Sequence, residues 1–191
     1  MARTKEFDTD EALEKSLGIF WEKGFEATSI QDLVDATGVN RASLYETFGS
    51  KRDLFRRALE RFGSANGIEA MTAAAEPGLA KIRAALRSAG EQSIRDARGC
   101  MLVNTIIECG GRDEELSEIG RSARISLEEF FSRCLVEAQR RGEIPARRDR
   151  RSVARLLTNT LFGLRVTAKT GASPEFVRSI VDTTLRLVEQ R

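Results

Sequence analysis

Histidine is absent from this 191-residue chain, and cysteine, proline, tryptophan and tyrosine are scarce, at three, three, one and one. Without histidine there can be no Ser–His–Asp triad, no histidine-based zinc site and no Glu-x-x-His ligand pair of a di-iron bundle. Cys100, Cys109 and Cys134 are odd in number and stand at no metal-ligand spacing. That excludes a disulfide scaffold and fits a reducing compartment. No apolar run approaches the roughly 20 residues that a membrane helix needs. The opening Met1-Ala2-Arg3-Thr4-Lys5-Glu6 carries charge with no apolar stretch behind it, so it does not read as a secretory signal. No carboxylate pair or phosphate loop stands out either. The expectation is a cytoplasmic protein with no catalytic residues, no metal and no cofactor.

What is present points to one fold class. Hydrophobic residues make up 41% and charged residues 31%, with a net charge of +2, the composition of a globular chain with a charged surface. Almost every apolar pattern repeats at three and four. Leu13, Leu17, Phe20 and Trp21 form one stripe, with Asp8-x-x-Glu11 as its start and Gly24 as its end. Ser50 opens a stripe of Leu54, Phe55, Ala58, Leu59 and Phe62, and Pro77-Gly78 precedes Leu79, Ile82 and Leu86. A long stripe runs from Leu116 through Phe130, Phe131 and Cys134 to Ala138, closed by Gly142 and Pro145. Val153 to Ala168 follows, and Ser173-Pro174 launches Val177 to Val188. No alternating run of strand length occurs. The spacing predicts an all-α chain of about nine helices, divided near residue 62 into 1–62 and 63–191. Gly63-Ser64-Ala65-Asn66-Gly67 at that divide reads as a weakened stretch of helix.

Residues 28–48, TSIQDLVDATGVNRASLYETF, carry the most information. Thr28-x-x-Gln31 fits a capping box that starts a helix at Ser29 and buries Ile30, Leu33 and Val34. Gly38 ends it, and Asn40 can cap a second short helix. Two short helices joined by a tight glycine-containing turn match the helix-turn-helix pattern, although an ordinary αα-corner has the same outline. The second helix would turn Arg41, Ser43, Tyr45 and Thr47 outward and Leu44 and Phe48 inward. A guanidinium, hydroxyls and a phenol suit base edges and phosphate oxygens. In Ser50-Lys51-Arg52-Asp53, two cations occupy the first turn of a helix, where its dipole disfavours them. A bound anion such as a DNA phosphate would relieve that conflict.

These residues resemble the N-terminal domain of TetR-type (TetR/AcrR) transcriptional regulators. The likeness rests on GFEATSIQDLVDATGV (24–39), RASLYETFGSK (41–51) and the following Asp53-Leu54-Phe55. Beyond this first third it weakens to length, helix layout and two echoes, Gly99-Cys100-Met101-Leu102-Val103-Asn104 and Gly163-Leu164-Arg165. The resemblance implies a three-helix DNA-binding head, a helical body that binds a small-molecule effector, and a homodimer formed by the last two long helices, about 152–190. It also implies that Thr28 caps the first helix of the motif at the phosphate backbone. Arg41 and Ser43, with Ala42 between them, fall on base-reading positions, Tyr45 on a phosphate contact and Lys51 on the phosphate-binding lysine. Thr47 replaces the histidine or tyrosine common at that place, and Val34 stands where many helix-turn-helix sequences carry alanine. Charge is not spread evenly over the head. Residues 1–35 hold four basic and nine acidic side chains, and residues 36–62 hold six and three. The DNA face must therefore come from local placement of Arg41, Lys51 and Arg52, helped by an arm carrying Arg3 and Lys5.

In the body, Cys100, Asn104 and Ile107 share one helical face, and Cys100 follows Gly99 at a helix start, a place where reactive thiols are found. Cys100 is thus open to two readings, a small packing residue or a thiol lining the effector cavity. Phe131, Phe162 and Asn159 complete the expected effector set, with the same two readings open for the phenylalanines. Arg147-Arg148-Asp149-Arg150-Arg151 reads as a solvated helix start. The expectation is a ligand-responsive repressor that binds a palindromic double-stranded DNA operator as a homodimer, with a small-molecule effector releasing it and no membrane involved. The alternatives are a helical small-molecule binding protein or enzyme with a vestigial helix-turn-helix, and a protein-binding adaptor.

Overall fold

The computed structural model describes residues 7–68 and 72–190. Among the described residues nine helices are bounded and no strand occurs. They are α1 (Thr9–Lys23), α2 (Ile30–Thr37), α3 (Arg41–Phe48), α4 (Lys51–Asn66), α5 (Leu79–Arg95), α6 (Met101–Cys109), α7 (Glu114–Arg140), α8 (Arg150–Ala168) and α9 (Pro174–Glu189). The chain is all-α, as its periodicity predicts. It divides into two compact units, Met1–Ala65 and Asn66–Arg191. The glycine- and serine-containing stretch after residue 62 continues α4 as far as Asn66. Arg3 and Lys5 lie outside the described residues.

In the first unit each short helix is started by its own side chain. The Asp8 carboxylate accepts from the backbone N–H groups of Asp10 and Glu11, which holds the first turn of α1. Ser50 and Asp53 cap α4 reciprocally, through Asp53 N–H to Ser50 Oγ and Ser50 N–H to Asp53 Oδ2. Behind these caps lies an aromatic core. The Phe20 ring meets Phe55 edge-on at 4.9 Å between centroids, Phe25 packs on Phe55 at 4.9 Å, and Trp21 meets Phe62 at 4.9 Å.

The second unit is built from longer helices around one core. Ile82, Leu86, Phe131, Leu135, Leu157 and Val177 from α5, α7, α8 and α9 are fully buried in it. Polar junctions fix its turns and helix ends. The Glu143 carboxylate accepts from the Leu79 N–H at 2.8 Å and so caps α5, whose own Gly78 offers no side chain. The Gln139 amide donates to the carbonyls of Pro145, Ala146 and Arg148, fixing the turn that leads into α8. Arg148 in turn donates to the carbonyls of Leu187 and Gln190 at the end of α9, where a cation also suits the helix dipole.

Candidate nucleic-acid interface

The two helices of the motif form through local hydrogen bonds. Ser29 is the residue that caps α2. Its extended backbone (φ −84°, ψ 161°) lets Oγ accept from Asp32 N–H, while the Asp32 carboxylate accepts from Ser29 N–H. This corrects the expected Thr28–Gln31 box. Thr28 is buried, and its hydroxyl donates to the Gly24 carbonyl at 2.6 Å, closing the corner after α1 rather than facing outward. Gln31 instead donates to Asp35. The Lys23 ammonium donates to Asp32 at 2.6 Å. This ion pair, helped by the Ser29 N–H and hydroxyl, lowers the Asp32 pKa to about 2.

Gly38 ends α2 at φ +72°, left-handed backbone that a side chain would strain. Asn40 then caps α3 by accepting from Ser43 N–H at 2.9 Å. Leu44 and Phe48 are buried as predicted, Arg41 and Ala42 are exposed, and Ser43, Tyr45 and Thr47 are half-buried. The predicted recognition face is therefore presented by one capped helix. On α2, Leu33 is buried, while Ile30 and Val34 are half-buried rather than fully buried.

The cations of this unit fall into two groups. Arg56 pairs with Glu60 at 3.1 Å, and Arg61 with Asp10 and Glu14, both at 3.4 Å. These three acids compensate charge on α4. Arg41 lies over the Tyr45 ring at 5.4 Å, and Lys51 over the Phe25 ring at 4.6 Å, with its ammonium also donating to the Thr28 carbonyl at 2.6 Å. A ring face and a carbonyl orient a cation without neutralising it. Arg41 and Lys51 are thus oriented by ring faces and a carbonyl, an arrangement suited to recognition of a phosphate or a guanine edge.

The effector residues expected in the body are not gathered at one place. Phe131 lies in the core and Phe162 packs half-buried against it. Ile107 is 65% exposed, and Asn159 is exposed on α8. Asn104 donates its amide to the Arg98 carbonyl at 2.9 Å, closing the turn before α6. Cys100 is half-buried at the N-cap of α6. The two weak echoes in the body meet here. Gly99, at φ +75°, packs so closely that a Cβ would lie 2.9 Å from the Arg165 carbonyl oxygen. The Arg165 side chain is 6% exposed and donates to the Gln92 amide oxygen. Burial lowers its pKa, while Cys100 acts in the opposite direction; a guanidinium remains charged under such shifts. No local spacing signals the Gln92–Arg165 link, which joins residues on α5 and α8.

Two surface recesses lie elsewhere in the body. One of about 490 Å³ is bordered by Glu128, Ser132, Gln139 and Arg148–Arg151; one of about 470 Å³ is bordered by Pro77, Lys81, Phe130, Arg133 and Cys134. On α8 and α9, Leu156, Val166, Phe176 and Leu187 are 41–53% exposed, while Leu157, Leu161, Val181 and Leu185 face the core. No helix among the described residues is long and apolar enough to cross a membrane.

Comparison with known proteins agrees with this geometry. Residues 12–58 match the family described as bacterial regulatory proteins, tetR family, and residues 78–184 match the tetracyclin repressor-like C-terminal domain. The HTH-type transcriptional regulator YezE of Bacillus subtilis is 33% identical, over 99% of this chain and 100% of that protein. The HTH-type transcriptional repressor ComR of Escherichia coli is 34% identical, over 97% of this chain and 90% of that protein. Among solved structures, a cysteine mutant of the TetR family regulator CifR in complex with 26-bp operator DNA is similar, with a TM-score of 0.78. It shares 28% identity, covering 97% of this chain and 98% of that one. The fold also matches a TetR regulator from Chloroflexus aurantiacus with a TM-score of 0.86 at 22% identity. The chain belongs to the TetR family of bacterial transcriptional regulators.

Proposed function

We propose that the chain is a repressor that binds a palindromic DNA operator as a homodimer in the cytoplasm and leaves it when a small molecule occupies the body. The observation that carries this reading is α3 itself, an Asn40-capped helix presenting Arg41, Ala42 and Ser43, with the Lys51 ammonium fixed at the start of α4. Recognition helices of this kind lie in the major groove, with half-sites roughly 34–36 Å apart. The ComR and CifR likenesses support the reading, since those proteins are a repressor and an operator-binding regulator. On this view residues 1–62 are the DNA-binding domain and 63–191 the effector and pairing domain. Ser43, Tyr45 and Thr47 flank the contacts made by Arg41 and Lys51, and Thr28, its hydroxyl turned inward, acts through the carbonyl that holds Lys51.

Pairing through α8 and α9 is favoured by the exposed Leu156, Val166, Phe176 and Leu187, which need an apolar partner that a two-fold copy supplies. Asn159 is exposed on the same helix as Leu156 and Val166. The effector reading centres on Cys100 and Asn104, which lie where α6 begins against Arg165. An effector releases DNA only by binding the released conformation more tightly. Electrophoretic shift of the duplex upstream of the protein's own reading frame, at several salt concentrations, tests the reading. A shift with that duplex that an unrelated duplex does not compete supports it. Equal affinity for both duplexes would refute it.

A further inference from the structure

The Lys51 ammonium rests over the ring of a buried residue, Phe25. Phe25 is 8% exposed, its ring packed on Phe55 at 4.9 Å, and Phe55 in turn meets Phe20 at 4.9 Å. Phe55 stands four residues after Lys51 on α4, so both side chains project from the same face of that helix. The Phe25 ring is thereby pressed against that face, and the Lys51 ammonium comes to rest over it at 4.6 Å. The second wall of the ammonium site is the Thr28 carbonyl, which accepts from Lys51 Nζ at 2.6 Å. Its place is set by the corner that the Thr28 hydroxyl closes onto the Gly24 carbonyl at 2.6 Å. Phe25 lies inside that corner, so one tight turn supplies both walls. Arg52, at 5.8 Å, shares the same ring from farther off.

We propose that Phe25 is a positioning residue for DNA binding: its ring holds the Lys51 ammonium at the start of α4 and so fixes the charge that meets a phosphate. The inference rests on the reading of Lys51 as a phosphate contact. A lysine side chain loses much rotamer freedom when it is fixed, and a protein that has already restricted it binds with less further loss. The negative face of the ring attracts the ammonium without cancelling its charge, which an acidic partner would do.

The test uses the full-length protein and a random-sequence duplex, because a phosphate contact does not depend on sequence. Lys51→Gln should weaken binding and lower the salt slope by about one unit. Phe25→Leu should weaken binding by about 3- to 10-fold, the range expected when a long side chain must be immobilised on binding rather than beforehand. Phe25→Trp, which retains a ring face, should restore most of the loss. In the Lys51→Gln background, Phe25→Leu should have no further effect on binding, since the two residues act as one unit. Replacing Phe25 by pentafluorophenylalanine keeps the ring's shape and reverses its electrostatics. It should reproduce the Phe25→Leu loss with little change in Tm, so the test survives if the leucine variant folds poorly. Phe25 losses that are equally large with and without Lys51, or a fluorinated protein that binds like wild type, would overturn the positioning role and leave the phosphate contact standing. An unchanged salt slope in Lys51→Gln would overturn both.

Discussion

The two units of the chain hold themselves together in different ways. In Met1–Ala65, helices of eight to 16 residues start on caps supplied by neighbours two or three positions away: Asp8, Ser29, Asn40 and Ser50. In Asn66–Arg191, α7, α8 and α9 start on similar local caps from Asp113, Asp149 and Ser173, but longer links are added: Glu143 holds Leu79, Arg148 holds Leu187 and Arg165 holds Gln92. Local capping leaves the outer faces of short helices available for a partner such as DNA. Long-range junctions and a large shared core instead tie the body's helices to one another.

The largest effect should come from the body's core. Phe131 is 0% exposed, and Phe131→Ala should lower unfolding free energy by about 3–5 kcal/mol through the cavity left behind. Chemical denaturation checks this. A loss below about 1 kcal/mol would mean that the core collapses around the gap and that the contrast between the units is overstated.

The next effect separates binding from stability. Arg41→Ala should cost about 1–3 kcal/mol on the cognate duplex and relax selectivity at one base position. Arg41 is exposed, so thermal unfolding of the variant should stay close to wild type. Binding to a panel of single-base operator variants measures the first part and calorimetry the second.

A smaller effect decides which of two adjacent hydroxyls starts α2. Ser29→Ala removes the cap and should cost about 1 kcal/mol of stability. Gln31→Ala, outside the box that actually forms, should stay within about 0.5 kcal/mol, as surface substitutions do. Equal losses in the two variants, measured by denaturation, would return the cap to the Thr28–Gln31 pair. Thr28 and Ser29 both fit a capping pattern when read along the chain. What decides between them is the Gly24–Thr28 corner, which turns the Thr28 hydroxyl inward and leaves Ser29 extended.

That case shows where the sequence can be read and where it cannot. Helix positions, the Gly38 turn, the Asn40 and Ser50 caps and the inward placement of Leu44 and Phe48 follow from short spacings and are legible. In the body, periodicity locates each helix but not its inward side. Leu156 and Leu157 are adjacent and equally apolar, yet one is 47% exposed and the other fully buried. The outward placement of Asn159 and Ile107 is hidden in the sequence for that reason, because helices with apolar residues on two sides carry no internal mark of which side meets the core. The meeting of Gly99 with Arg165 depends on tertiary packing alone.

The smallest effect concerns pH. The Lys23 ammonium and Ser29 hold the Asp32 pKa at about 2, below the ordinary 3.8. A carboxylate with a depressed pKa in the folded state stabilises the fold above its unfolded pKa and loses that contribution as pH falls through the folded value. Between pH of about 4 and 2, wild type should therefore lose more stability than Asp32→Asn. Parallel stability curves for the two proteins across that window would show that the ion pair does not hold the corner of α2.

The most direct measurement of whether α3 reads DNA is a salt titration of binding by wild type and by Arg41→Ala. It uses the duplex upstream of the protein's own reading frame and a scrambled duplex of equal length. Wild type should prefer its own duplex at every salt concentration, and both affinities should fall steeply as salt rises. Arg41→Ala should narrow the preference while keeping the salt slope within about one unit of wild type. Equal affinity of wild type for the two duplexes, or a preference untouched by Arg41→Ala, would contradict recognition through α3.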